Sequence, residues 1–243
     1  MNRVDAEKVI RRRTRRSFLF GGAVAAAAFV GGRWLYTRRE DAGIRWPLRR
    51  ALEINEQLAR DFFDAGRLAP TFPVSMAKMP RANGGVGLRS SFDAAAWTLK
   101  VEGGRSDSPV TLAQVKDLPR VEIVTELKCI EGWSEVVHFT GARFSDFAAK
   151  YGAEDAVEYV GMETPDGEYY VGLDSDSAMH PQTLLCYEMD GKPLTAVHGA
   201  PLRLAIPVKY GLKSIKRIGT IRFAESRPAD YWAERGYDWY VGL

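Results

Sequence analysis

The sequence predicts an α+β fold: one domain of short strands in mixed sheets, with short helices between them, behind a basic and apolar leader. Three observations point there. Short runs of strand-like and helix-like residues alternate along the chain without a long repeat. Gly and Pro are spread along it rather than concentrated, which does not describe a disordered chain. And 243 residues, 46% of them hydrophobic, are enough to build a sizeable core. The net charge of +3 hides an asymmetry: residues 1–39 hold ten Lys/Arg and two Asp/Glu, which leaves 24 basic against 29 acidic residues for the remainder. An acidic body excludes nucleic acid as the main partner, because phosphate binding needs a positive surface.

The leader comes first. Arg11 to Arg16 form a basic region, and the 13 apolar residues Phe18 to Val30 follow. That run is short for a bilayer span of about 20 residues and suits the core of a signal peptide. Thr14-Arg15-Arg16-Ser17-Phe18-Leu19 resembles the twin-arginine export signal, which implies export in a folded state with the cofactor in place. No single cleavage site stands out in Ala25 to Ala28, so retention as a membrane anchor stays open. The expected organisation is a leader over 1–35, a helical segment over 36–69 and the functional domain over 70–243.

In the helical segment, Leu48, Leu52, Leu58, Phe62 and Phe63 among charges predict an amphipathic helix within 45–68. Residues 69–91 carry three prolines and the run Asn83-Gly84-Gly85, and read as an irregular arm. Ala96 to Glu102 reads as a strand ended by Gly103-Gly104, and Thr111 is the candidate cap of a short helix to Lys116. Val121 to Glu126 alternates as a half-buried strand, and Val136 to Phe139 reads as the next one. Ser145 is expected to cap a short helix stopped by Gly152. Val157 to Met162 and Tyr169 to Leu173 flank the turn Pro165-Asp166-Gly167. Pro181 to Met189 reads as helical, and Leu202 to Ile206 and Arg217 to Phe223 as strands. The aromatic tail from Pro228 is expected to pack across the body.

Chemistry concentrates at Lys128-Cys129-Ile130-Glu131-Gly132-Trp133, where a strand gives way to a loop, a common seat for a reactive group on a rigid support. A thiolate there suits a metal ligand, a nucleophile or half of a disulfide with Cys186, the only other cysteine. A zinc site from Cys129 and the three histidines is disfavoured, because their spacing lacks paired ligands.

Three segments together resemble the molybdopterin-binding domain of the sulfite oxidase family: Cys129 to Trp133, Ser177 to Leu185, and His198 to Arg203 continuing through Ile206 to Lys216. The nearest branch is that of the periplasmic protein-methionine-sulfoxide reductase catalytic subunits. The resemblance covers roughly residues 70–230 and implies a sulfite-oxidase-like molybdopterin-binding fold. It implies molybdenum held by the pterin dithiolene and by Cys129, since soft sulfur ligands suit such a metal. It further implies that Arg203, Lys216 and the backbone of Ser214 and Ile215 hold the pterin phosphate, with Gly211 turning the chain tightly before them. His198 is expected at the pterin, Thr164 near the metal and Asn83 in a cofactor loop. For Cys186, read as helical, a small buried residue is expected. His180 is expected to brace a helix start.

The implied function is an exported molybdenum-molybdopterin oxidoreductase that transfers an oxygen atom, reducing a small or protein-bound sulfoxide or N-oxide. Sulfite oxidation is the competing direction, but it needs a cationic pocket, and the residues after Cys129 are Ile130, Glu131, Gly132 and Trp133. A cofactor-free exported binding module with Cys129 and Cys186 paired is the other alternative. No haem-attachment motif is present, so electrons are expected from a separate partner, a membrane haem protein or a cytochrome.

Overall fold

The computed structural model describes every residue except 1, 2, 42, 83, 89–91, 95 and 107, so Asn83 lies outside the described residues. The chain divides into two compact units, Met1–Ala51 and Leu52–Leu243. The first begins with α1 (Arg3–Tyr36), within which Ile10–Tyr36 is long and apolar enough to cross a membrane. The helical run thus continues well past the 13-residue apolar core. A two-residue hairpin follows, β1 (Glu40–Asp41) with β2 (Ile44–Arg45), and then α2 (Trp46–Asp61).

The second unit adds β3 (Lys100–Glu102), α3 (Leu112–Lys116), β4 (Arg120–Lys128), β5 (Ser134–Arg143), α4 (Phe144–Tyr151), β6 (Tyr159–Glu163) and β7 (Tyr170–Asp174). After these come α5 (Ser175–Ala178), β8 (Leu184–Met189), β9 (Lys192–Pro193), β10 (Arg203–Ala205) and β11 (Thr220–Ala224). One sheet runs β10-β8-β5-β4 with β9 on β8, and the other runs β3-β11-β6-β7. All pairings are antiparallel except β11 with β3. The main core draws on both sheets: Ala142, Leu185 and Leu204 come from the first, and Met162, Leu173 and Ile221 from the second. This is the expected α+β architecture.

Local chemistry explains most boundaries. Thr111 caps α3 through a reciprocal box, its hydroxyl accepting from the Gln114 amide while the Gln114 side chain accepts from the Thr111 amide. At α4 the cap position is Arg143 rather than Ser145, because β5 runs straight into the helix; Gly152 ends it as expected. Leu202–Ile206 and Arg217–Phe223 shorten to β10 and β11, and Arg217 takes a left-handed φ of 62° at the turn between them.

The segment from Pro181 to Met189 is a correction: it holds no helix, and Cys186 lies on β8. This strand sits between β5 and β10 and is buried on both faces, so its apolar run does not alternate with polar residues. Alternation is present only in destination: Leu185 and Tyr187 enter the main core, while Leu184 and Cys186 join a second cluster with Val137 and Phe139. His180 therefore braces a turn. Its Nδ1 accepts from the Gln182 amide at 3.2 Å, and its Nε2 faces the Arg67 carbonyl at 3.3 Å.

β5 and β8 meet closely at a bulge between Thr140 and Gly141. A Cβ on Gly141 would fall on the Leu185 carbonyl and 2.8 Å from the Cys186 Cα, both backbone atoms that cannot swing away. Gly141→Ala is expected to destabilise the body by about 1–3 kcal/mol, read from denaturant or thermal melts. A wild-type melt would mean that the strands separate there at no cost.

The tail packs as expected. Trp239 and Tyr240 are buried with Ala59 and Phe63, so residues from 52 onward belong with the body. Lys209 and Lys213 lie beneath this tail. Lys209 pairs with Asp174 at 3.3 Å and sits 2.8 Å from the Tyr240 ring centre. Burial, only partly offset by Asp174, pushes Lys209 down to about 7. Lys213 is buried with Asp230 at 2.6 Å, and also donates to the Gly172 carbonyl at 2.7 Å. These lysines tie the loop after β10 to β7 and the tail.

Candidate active site

The turn that carries Cys129 is the tip of the β4–β5 hairpin, in register from Arg120↔Ala142 to Lys128↔Ser134. The Cys129 amide donates to the Trp133 carbonyl at 2.8 Å, and the Gly132 amide closes back on the Cys129 carbonyl at 3.1 Å. Gly132 has a φ of 86°, which a residue with a Cβ adopts only at a cost. The hairpin thus fixes the thiol on a rigid tip. Trp133 is held in turn: its indole N–H donates to Glu131 at 3.0 Å, and the Arg81 guanidinium stacks on its ring at 5.7 Å.

Beside this tip lies a cavity of about 160 Å³. Cys129, His198, Arg203, Ser214 and Lys216 all line it, although they come from segments up to 87 residues apart. Ile130, Glu131 and Trp133 line it from the hairpin, and Arg81, Gly84 and Val86 from the irregular arm. Tyr169 and Trp232 also line it; neither carries a motif, and no signal in the sequence marks them.

Arg203 is 3% exposed on β10, and among the described residues its guanidinium reaches only neutral acceptors. These are the carbonyls of His198 at 3.3 Å, Ser214 at 3.4 Å and Leu204 at 3.5 Å, and the Met189 sulfur at 3.8 Å. Among the described residues no carboxylate pairs with it. Lys216 is bridged to Arg203 across the strand and donates to the Gly84 carbonyl at 3.3 Å. Burial and the Arg203 charge push Lys216 down to about 8, against a smaller upward pull from Cys129. Burial and both cations hold His198 below its usual range, which favours the neutral ring. The Ser214 hydroxyl is buried without a hydrogen-bond partner. A buried guanidinium beside a half-buried ammonium, with an orphaned hydroxyl, forms a donor set suited to a multi-oxygen anion. A pterin phosphate has that chemistry, and the thiol on the same wall has the chemistry of a soft metal ligand. The residues fit a molybdenum-pterin group.

Other expected residues stand elsewhere. Ile215 is fully buried in the core and does not line the cavity. Its amide donates to the Lys213 carbonyl at 2.9 Å and that of Ser214 to Gly211 at 3.0 Å, so neither backbone N–H points at an anion. Thr164 is buried in the β6–β7 turn, where its hydroxyl donates to Asp166 at 2.6 Å and accepts from the Tyr169 amide at 3.1 Å. Gly211 has no left-handed φ; a Cβ there would press on the Lys128 carbonyl at 3.2 Å, so close approach to β4 explains it better than a tight turn. The glycine that sequence reasoning missed is Gly199, with φ 94°, where a Cβ would lie 2.8 Å from the Lys216 Cα.

The thiols of Cys129 and Cys186 are not joined in a disulfide. Cys186 is fully buried, its Sγ facing the Glu188 carbonyl at 3.0 Å, and burial pushes it up to about 11. The histidines stand apart: His138 pairs with Glu122 at 2.9 Å, and His180 braces its turn. Among the described residues no cluster of three His, Cys, Asp or Glu could hold zinc.

A family model described as the oxidoreductase molybdopterin binding domain matches residues 86–232. A protein of Azospira oryzae, provisionally named as protein-methionine-sulfoxide reductase subunit YedZ1, is 34% identical over 98% of this chain and 91% of its own length. The protein-methionine-sulfoxide reductase catalytic subunits MsrP of Xanthomonas axonopodis pv. citri and Campylobacter jejuni are 38% and 32% identical. Their alignments cover 56% and 65% of this chain, and the chain spans 47% and 60% of their lengths. Among solved structures, the sulfane dehydrogenase SoxCD of Paracoccus pantotrophus shares the fold, with a TM-score of 0.52 over 57% of this chain and 40% of that one, at 15% identity.

Proposed function

The chain belongs to the oxidoreductase molybdopterin-binding domain family, and from that premise we propose that it reduces a small or protein-bound sulfoxide or N-oxide at the cavity beside Cys129. It is an oxidoreductase, and its cofactor is molybdopterin carrying molybdenum. When bound, that group supplies two-electron oxygen-atom transfer. In this reading the Cys129 thiolate ligates the metal and the hairpin tip holds it in place. Arg203, Lys216 and the Ser214 hydroxyl hold the phosphate, and His198 borders the pterin. The observation that carries the reading is the convergence of these five side chains on one cavity. Sulfoxide as the substrate is supported by the names of the Azospira and MsrP relatives. Glu131 and Trp133 on the wall suit a neutral substrate better than an anion such as sulfite. Asn83, outside the described residues, and Thr164 remain in the proposal as cofactor contacts on the strength of the resemblance alone.

The test is purification from a molybdenum-replete host, metal and pterin analysis, and turnover of sulfoxides, N-oxides and sulfite with a reduced or oxidised dye. Molybdenum with sulfoxide or N-oxide reduction is expected. Sulfite oxidation alone would reverse the direction, and a metal-free chain would leave a binding module.

The proposal includes export and a separate electron partner, a membrane haem protein or a cytochrome. Export is supported by the twin-arginine-like leader, and by seven Lys/Arg before the apolar run against four between it and α2, a bias that favours a non-cytoplasmic body. Arg15→Lys with Arg16→Lys is expected to leave the protein in the cytoplasm, read by fractionation. Unchanged export of that double variant would point to another route.

A further inference from the structure

α2 presents its apolar stripe outward. Its inner face is largely polar: Glu56, 8% exposed, pairs with Arg227 and with Arg60 at 3.3 Å, and only toward the C-terminal end do Ala59 and Phe63 pack on the buried tail. On the opposite face Leu48, Ile54 and Leu58 are 47%, 52% and 51% exposed. Phe62, whose amide still donates to the Leu58 carbonyl, is 81% exposed. At about 100° per residue, these four occupy one arc of about 120°. An exposed apolar stripe of this kind, interrupted within its arc by Asn55, marks a surface that something covers.

We infer that the outward face of α2 lies on a lipid bilayer, and that α1 remains in that bilayer as its anchor. The occupant follows from what precedes the helix. The apolar stretch Ile10–Tyr36 is 27 residues long, enough to span, and none of it is buried. Nine residues separate α1 from α2, so the chain holds the start of α2 within about 30 Å of the end of α1. Aromatic side chains mark both sides of that link: Trp34 and Tyr36 end α1, Trp46 begins α2, and all three are exposed. Tryptophan and tyrosine favour the headgroup level. An amphipathic helix placed there buries its apolar arc at the acyl boundary and keeps its charges toward the protein and water. The domain is then held at the membrane surface, where an electron partner in the bilayer would meet it at high effective concentration.

The test starts from the full chain reconstituted in phosphatidylcholine vesicles containing phosphatidylglycerol, with a protease site inserted between Gly43 and Ile44. After cleavage the wild-type body is expected to float with the vesicles. In the Ile54→Ser/Leu58→Ser/Phe62→Ser variant the bound fraction is expected to fall about tenfold or more. Release of the wild-type body as complete as that of the variant would overturn the inference, including the case in which another protein covers the face. A second measurement does not depend on the triple variant. A fluorophore on Leu58→Cys, in a Cys129→Ser background, is expected to be quenched by nitroxide lipids and shielded from iodide. The same label on Gln57→Cys is expected to behave oppositely. Equal iodide quenching at both positions would also overturn it.

Discussion

Cys129→Ala is expected to abolish turnover while the purified protein keeps most of its pterin. The thiol stands on the tip of the β4–β5 hairpin, whereas the donors suited to the phosphate, Arg203, Lys216 and Ser214, come from the chain after β9. Grip and chemistry are thus carried by different segments. Partners that only support a metal ligand cost about 10–100-fold when removed, so loss of the ligand itself is expected to cost at least that much. Cys129→Ser, which offers a harder oxygen in place of sulfur, is expected to fall close to the alanine variant. Cys186→Ala is the internal control. Its sulfur is buried between strands and does not line the cavity, so turnover is expected to hold while stability drops modestly. The measurements are dye-linked turnover, and metal and pterin content per folded chain. Full turnover in Cys129→Ala would sink the assignment, as would the reverse pattern with Cys186→Ala inactive.

The convergence of Cys129, His198, Arg203, Ser214 and Lys216 on one cavity was legible because these residues sit in short linear motifs whose chemistry can be read one residue at a time. Cys129 follows an alternating strand, and the glycine after the next two residues demands a turn. What was not legible depends on packing between distant segments. β8 looked helical because burial on both faces erases the period of two that identifies a strand. Lys209 and Lys213 lie in the same stretch of sequence as Arg203 and Lys216. The structure sends them the other way, to Asp174 and Asp230 beneath the tail, and no local pattern distinguishes a lysine destined for a carboxylate from one destined for a phosphate. Tyr169 and Trp232 reach the cavity from a turn and from the tail, two places where an aromatic residue alone carries no positional information. Ser214 and Ile215 were expected to offer their backbone, but their amides turn back on the Gly211 and Lys213 carbonyls of the 3₁₀ turn over Gly211–Lys213. That leaves the side chains of the same loop to meet the anion.

The consequence is a strong prediction for Arg203 and Lys216. A guanidinium buried among neutral carbonyls carries its desolvation cost without a counter-ion, so it contributes little to the stability of the cofactor-free chain. Arg203→Met keeps the volume and removes the charge; the cofactor-free variant is expected to melt at or above the wild-type temperature. The same change removes a charge-assisted contact worth about 1.5–3 kcal/mol, so cofactor retention is expected to weaken by on the order of ten- to a hundredfold. Lys216→Met is expected to weaken retention similarly. It also takes a positive charge from the neighbourhood of Cys129, which the interaction between the two groups already registers. Pterin and molybdenum per folded chain, measured after dialysis, separate these variants from Cys129→Ala, which should keep its cofactor and lose its chemistry. Lys213→Met provides the contrast: it abandons Asp230 in a buried pair, so it is expected to lose stability by about 3–5 kcal/mol. Full cofactor occupancy in both Arg203→Met and Lys216→Met would mean that these cations do not hold the pterin phosphate, and that the cofactor lies against another wall of the domain.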